Sequence, residues 1–204
     1  MKKTGRPREF NIEAALDQAV QVFYVKGYEA TTLEDLTQAM GIQRPSLYAA
    51  FGNKEALFLK VLERYRSQSV QSSQATLEEE PNGQKAIADF LAQIAEYHIT
   101  SDGLGCLIVN STVDCQPRQG EICDRASADL SGCIRHLHDQ NEAMIYQRLQ
   151  RALTDGDLPA QTDIRGLAQF YNGVIQGMAV LARAQKKPDA VRQMVKFAMK
   201  VWPG

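Results

Sequence analysis

At 204 residues, 44% hydrophobic and 23% charged, the chain has the composition of one globular domain or two small ones, and is neither disordered nor fibrous. No apolar run approaches the ~20 residues that span a bilayer and no signal-peptide pattern is present, so a cytoplasmic protein with no membrane partner is expected. The net charge of −1 hides an asymmetry. Residues 1–66 hold ten Lys/Arg against eight Asp/Glu (+2), and residues 67–204 hold thirteen against sixteen (−3).

The first eight residues carry Lys2, Lys3, Arg6 and Arg8 and no acid. Such an arm can lie along phosphates or enter a minor groove. Ile12, Ala15, Leu16, Ala19, Val20 and Phe23 then recur at helical spacing until Gly27. A second, shorter helix is predicted from Leu33, Leu36 and Met40, with Thr31 or Thr32 as its cap; Thr31 and Glu34 fit the S/T-x-x-E capping box. Gly41 supplies a left-handed stop, and a third helix starts near Gln43 or Arg44, favoured by Pro45. Leu47 and Phe51 would pack inward and leave Gln43, Arg44, Ser46 and Tyr48 outside. Asn53 can cap a fourth helix, and Lys54 in its first turn opposes the helix dipole unless a phosphate binds there. Helix, glycine turn and second helix follow the plan in which the second helix enters the DNA major groove.

These residues resemble the DNA-binding domain of the TetR/AcrR family of bacterial transcriptional repressors over roughly the first third of the chain. The resemblance is carried by Gly5 to Arg8, Phe23 to Gly27, Thr31-Thr32, Leu36, Gly41, Leu47-Tyr48, Phe51 and Asn53 to Leu57. Ala49 and Ala50 depart from it, because many members carry a bulky aromatic or His just after the tyrosine. The expected DNA contacts are Arg6, Arg8, Thr32, Gln43, Arg44, Pro45, Ser46, Tyr48 and Lys54. Double-stranded operator DNA is the expected partner.

The fourth helix should run through Leu57, Val61 and Tyr65 and turn polar near Ser67, until Glu78 to Gly83 breaks it. Ile87, Phe90, Leu91, Ile94 and Tyr97 mark an amphipathic helix, and a short apolar helix is expected within Gly105 to Cys115. A long one follows over Glu121 to Thr154, with Leu130, Ile134, Leu137, Ile145 and Leu149 inward. The last two are expected over Asp163 to Ala184 and Pro188 to Trp202. No segment reads as a strand. The expected architecture is all-α with about nine helices: a DNA-binding domain at 1–53, a connecting helix and linker at 54–80, and a helical-bundle effector and dimerisation domain at 81–204.

The helix containing Ala168, Tyr171, Val174, Ile175, Met178, Leu181 and Ala182 is apolar nearly all round, and Gly173 and Gly177 would admit a close neighbour. Two DNA half-sites call for a dimer. The resemblance implies pairing through the last two helices, with Tyr171, Val174, Gly177, Met178, Leu181 and Val195 as contacts. It also implies a small-molecule effector of unknown identity inside the larger domain, with Phe90, Tyr97, Cys106, Val109, Asn110, Ile134 and Tyr171 as the lining. Cys106, Cys115, Cys123 and Cys133 contain no C-x-x-C, which argues against structural zinc. A thiol sensor at Cys106, a metal site at Cys133 and His136, or an interaction module that no longer binds DNA are the alternatives. His98 and His138 have no evident partner. No nucleophile–base pair, acid pair or phosphate loop suggests an enzyme, and no cofactor is implied.

Overall fold

The computed structural model describes residues 10–101, 103–114, 125–185 and 187–203. These residues form α1 (Ile12–Lys26), α2 (Leu33–Met40), α3 (Arg44–Phe51), α4 (Lys54–Glu79), α5 (Gly83–Thr100), α6 (Leu107–Asp114), α7 (Arg125–Asp155), α8 (Ile164–Gln185) and α9 (Pro188–Ala198). A 3-10 turn, Met199–Val201, follows α9. The fold is all-α, as the periodicity predicts. Two compact units result, Met1–Tyr65 and Arg66–Gly204. The division falls within α4, inside the segment that reads as a connector.

In the first unit, Asn11 caps α1 by accepting from the Ala14 N–H, and Phe23 and Ala19 bury their side chains completely. Leu36, Leu47, Leu57, Phe58, Val61 and Leu62 complete this core at near-zero exposure. The Arg64 guanidinium reaches Asp17 at 2.9 and 3.1 Å and Glu13 at 2.7 Å, which ties α4 to α1. The Asp17 carboxylate holds that guanidinium's pKa above its ordinary value.

In the second unit, α5, α7, α8 and α9 pack Ile87, Phe90, Leu91, Ile145, Leu149, Tyr171, Met178 and Val191 into one core. Leu130, Ile134 and Leu137 are buried on α7 as expected. The end of α4 is held from α7. Arg151 donates to the Glu78 carbonyl at 2.8 Å, and Arg148 to those of Glu80 and Pro81 at 3.0 Å each. Two cations thus meet the carbonyl end of a helix, where the backbone dipole favours positive charge. Gly105, at φ 74, packs so tightly on α8 that a Cβ there would lie 2.5 Å from the Ala179 carbonyl oxygen. Only glycine meets both demands.

Candidate nucleic-acid interface

The turn between α2 and α3 is built from local hydrogen bonds. Thr32, not Thr31, caps α2: its hydroxyl accepts from the Asp35 N–H at 3.1 Å, and the Asp35 carboxylate accepts from the Thr32 N–H at 3.0 Å. The capping box is therefore Thr32–Asp35, one residue later than the Thr31–Glu34 spacing suggested. Thr31 is buried and donates its hydroxyl to the Gly27 carbonyl at 2.6 Å, so it cannot serve as the cap. Asp35 also pairs with Lys26 at 2.6 Å, and the lysine together with the Thr32 donors lowers its pKa from 3.8 to about 2. Gly41 ends α2 in the left-handed region at φ 66. Its N–H donates to Gln38 and that of Ile42 to Thr37, the paired bonds of a Schellman stop.

Gln43 enters α3 in extended backbone without spending its side chain on a cap, and Pro45 lies in the first turn. Leu47 and Phe51 are buried, while Gln43, Arg44, Pro45 and Tyr48 are exposed and Ser46 is half-buried. The helix thus divides as the sequence predicts, one face on the core and one displaying a guanidinium, an amide and a phenol. Gly52 stops α3, and Asn53 caps α4 by accepting from the Ala56 N–H at 2.8 Å. Lys54 sits at this helix start, its ammonium 3.4 Å from the Glu29 carbonyl and 4.5 Å from the Tyr28 ring centroid. Thr32 is exposed at the start of α2. Arg6 and Arg8 lie outside the described residues. Tyr28 was not among the expected site residues, and the only signal for it was its place just ahead of the two threonines.

The residues of the expected effector lining differ in their surroundings. Phe90, Ile134 and Tyr171 are buried in the core, whereas Tyr97, at the end of α5, is 39% exposed and turns away from it. Asn110 donates to the Leu104 carbonyl at 2.9 Å, so its amide holds the turn before α6. Val109 and Cys106 are half-buried, and the Cys106 carbonyl accepts the first bond of α6 from Asn110. None of the seven lines the cavity of about 200 Å³ between α5, α8 and α9, which is formed by His98, Ile99, Gly103, Ala182, Pro188 and Val191 with Lys187. His98 has a partner after all, since its Nδ1 lies 3.1 Å from the Gly105 carbonyl and must donate to it. Burial pushes its pKa down to about 4. His138 Nε2 likewise lies 2.9 Å from the Thr112 hydroxyl. Among the described residues no His, Cys, Asp or Glu cluster could hold a metal ion, and His136 bonds Gln140 at 2.8 Å. Cys115 and Cys123 lie outside the described residues.

The expected dimer contacts also divide. Tyr171 and Met178 are completely buried within the single chain and present no surface to a partner. Gly177 faces α9, because a Cβ there would meet the Met194 methyl at 3.1 Å, while one at Gly173 would meet nothing. Val174, Leu181 and Val195 are half-buried. The exposed apolar residues of this region are Phe170, Val180, Phe197 and Val201.

Comparison with known proteins follows the same division of the chain. Residues 15–61 match the model of the bacterial regulatory proteins of the tetR family, and residues 84–198 match that of the tetracyclin repressor-like C-terminal domain. The HTH-type transcriptional repressor ComR of Escherichia coli (strain K12) is 35% identical over 204 residues, 99% of this chain and 93% of its own length. The HTH-type transcriptional repressor BdcR of the same organism is 32% identical over 120 residues, covering 58% of this chain and 60% of that protein. A cysteine-substituted form of the TetR family regulator CifR, complexed with 26-bp double-strand operator DNA, superposes with a TM-score of 0.86 at 33% identity. That match covers 98% of this chain and 100% of that one. No described helix is long and apolar enough to cross a membrane. The chain belongs to the TetR family, and is a DNA-binding, helix-turn-helix transcriptional regulator rather than an enzyme.

Proposed function

We propose that this chain is a homodimeric repressor that reads its operator with α3 and leaves it when a small molecule binds the second unit. The observation that carries the reading is the exposed face of α3, Gln43, Arg44, Pro45 and Tyr48, beside the Asn53-capped start of α4 with Lys54. Base edges are the natural target of Arg44, because a guanidinium bonds guanine O6 and N7 together. Lys54 would meet a phosphate at the helix end. Ser46 and Thr32, with Arg6 and Arg8 of the arm, would add backbone contacts that position rather than specify. Relatives named as repressors, and a CifR structure on operator DNA, support the same reading.

The test uses genomic DNA fragments selected by the wild-type protein. Arg44→Ala should cost about 1–3 kcal/mol at one operator position and relax the preference there. Lys54→Ala should weaken all sequences alike and lower the salt dependence by about one unit of slope per half-site. Unchanged affinity in both variants would remove α3 as the reading element.

Dimerisation is supported by the apolar side chains that α8, α9 and the turn after them leave exposed, Phe170, Val180, Phe197 and Val201, with half-buried Val174 and Leu181. Where such side chains gather on one surface they favour an interaction there. The effector reading draws on the interior of the same unit, where the Tyr171 hydroxyl, the Asn172 Oδ1 and the His98 Nε2 are buried without a hydrogen-bond partner. An effector shifts the operator-bound population only by binding the two states unequally. A second reading, a thiol switch, rests on the half-buried Cys106 at the start of α6. If a thiol is the trigger, Cys106→Ser should stay on DNA under electrophile while the wild type dissociates; identical release would exclude it.

A further inference from the structure

A lysine at the first position of a 26-residue helix is electrostatically misplaced, because the exposed N–H groups there already carry partial positive charge. The first unit, the DNA-binding head, gives that ammonium two partners outside α4. Lys54 Nζ donates to the Glu29 carbonyl and lies 4.5 Å above the Tyr28 ring, both in the segment between α1 and α2. The ring itself is anchored. Its centroid is 4.8 Å from that of Phe58 and 6.3 Å from that of Phe23, and both phenylalanines are fully buried. A flexible four-carbon stem is thereby held at one place by a rigid aromatic platform and a backbone carbonyl.

We infer that Tyr28 is a positioning residue for operator binding: its ring holds the Lys54 ammonium at the capped start of α4, where it receives a DNA phosphate. The inference rests on the assignment of Lys54 as a phosphate contact. Tyr28 need not touch DNA in this arrangement. It lowers the freedom that the lysine would otherwise lose on binding, and its electron-rich face offsets the repulsion from the helix end. The contact with the ammonium is made by the ring face, so the ring alone should suffice for it.

The test is a double-mutant cycle on full-length protein, with a genomic DNA fragment selected by the wild type and affinity measured at several salt concentrations. Tyr28→Met keeps an apolar side chain against Phe58 but removes the ring face. It should weaken binding about tenfold across two half-sites, whereas Tyr28→Phe should bind as the wild type does. In the Lys54→Ala background Tyr28→Met should have no further effect, because the group it positions is gone. Equal weakening in both backgrounds, or no weakening in the wild type, would overturn the inference and leave Tyr28 a packing residue. If Lys54→Ala itself changes neither affinity nor salt slope, the phosphate assignment fails first and the inference falls with it. Should Tyr28→Met not fold, ring-fluorinated phenylalanines at position 28 keep the shape and drain the ring face. Affinity should then fall stepwise with fluorination, and a flat series would refute the cation–ring contact.

Discussion

Both units pair polar side chains at their surfaces, but among the described residues most of the buried polar atoms without a partner lie in the second. In the first, polar groups pair over short distances at the surface: Thr32 with Asp35, Asn53 with Ala56, Lys26 with Asp35, and Arg64 with Asp17 and Glu13. What stays exposed on α3 is the set that could contact DNA. In the second unit, polar groups are buried without full pairing, among them the Tyr171 hydroxyl, the Asn172 Oδ1, the His98 Nε2, and the Nε and Nη1 of Arg148. Buried polar groups are normally satisfied, and each exception asks for a reason. A reading surface must be preformed to match a fixed duplex. A regulatory interior must instead be able to change partners. The contrast suits the proposed switch, in which the reading surface is preformed and the effector acts on the second unit.

The largest effect that would sharpen this comparison is on assembly. Phe197, 61% exposed, and Val180, 54% exposed, should tolerate Asp in a monomer. If they lie in the interface, Phe197→Asp with Val180→Asp buries unpaired charge there and should yield folded monomers in sedimentation analysis. A dimer that persists would move the interface away from these two residues.

Next comes acid sensitivity of the second unit. His98 is neutral when folded, with its pKa near 4 against about 6.5 when unfolded. The unfolded chain therefore takes up a proton first, and stability falls as pH drops from 6.5 toward 4. At pH 5 the loss should be on the order of 2 kcal/mol. His98→Gln can keep the bond to Gly105 and should flatten denaturation midpoints between pH 6.5 and 5. A slope identical to that of the wild type would assign the effect to other groups.

Tyr171→Phe is smaller and more diagnostic. Burial alone drives that hydroxyl's pKa up to about 12, and it meets no partner. Its removal should leave stability unchanged or raise it by about 1 kcal/mol. A loss of more than 1 kcal/mol would show that the hydroxyl is satisfied in solution, and the contrast between the units would weaken.

Of the same size, but in the head, is the effect of the cap. Thr32→Ala should cost about 1 kcal/mol of thermal stability. Because the folded pKa of Asp35 is depressed, its contribution is present above pH 3.8 and fades as pH falls toward 2. An acid titration of Thr32→Ala that matches the wild type in this window would argue that Lys26 alone holds the carboxylate.

Most of the head was legible because its signals are local. A cap, a left-handed glycine, a proline in the first turn and apolar residues four apart each act within one or two helical turns. Even there, the choice between Thr31 and Thr32 waited on the fold. The two neighbours have the same chemistry, and only the burial of Thr31 against the Gly27 carbonyl separates them. The place of Tyr28 is hidden for a related reason, since nothing in a sequence shows a ring lying beneath a lysine 26 positions later.

From the sequence alone come the helical class, the order and approximate ends of the helices, and the outward set on α3, because periods and stop signals are written along the chain. The tertiary structure decides which stripe of an all-round apolar helix faces inward. On α8 it sends Tyr171 and Met178 to the core and Gly177 against Met194, and leaves Phe170, Gly173 and Val180 outside. It also turns Tyr97 to solvent and gives Asn110 to the Leu104 carbonyl. Periodicity shows that a face is apolar, but only packing against distant helices determines what covers it.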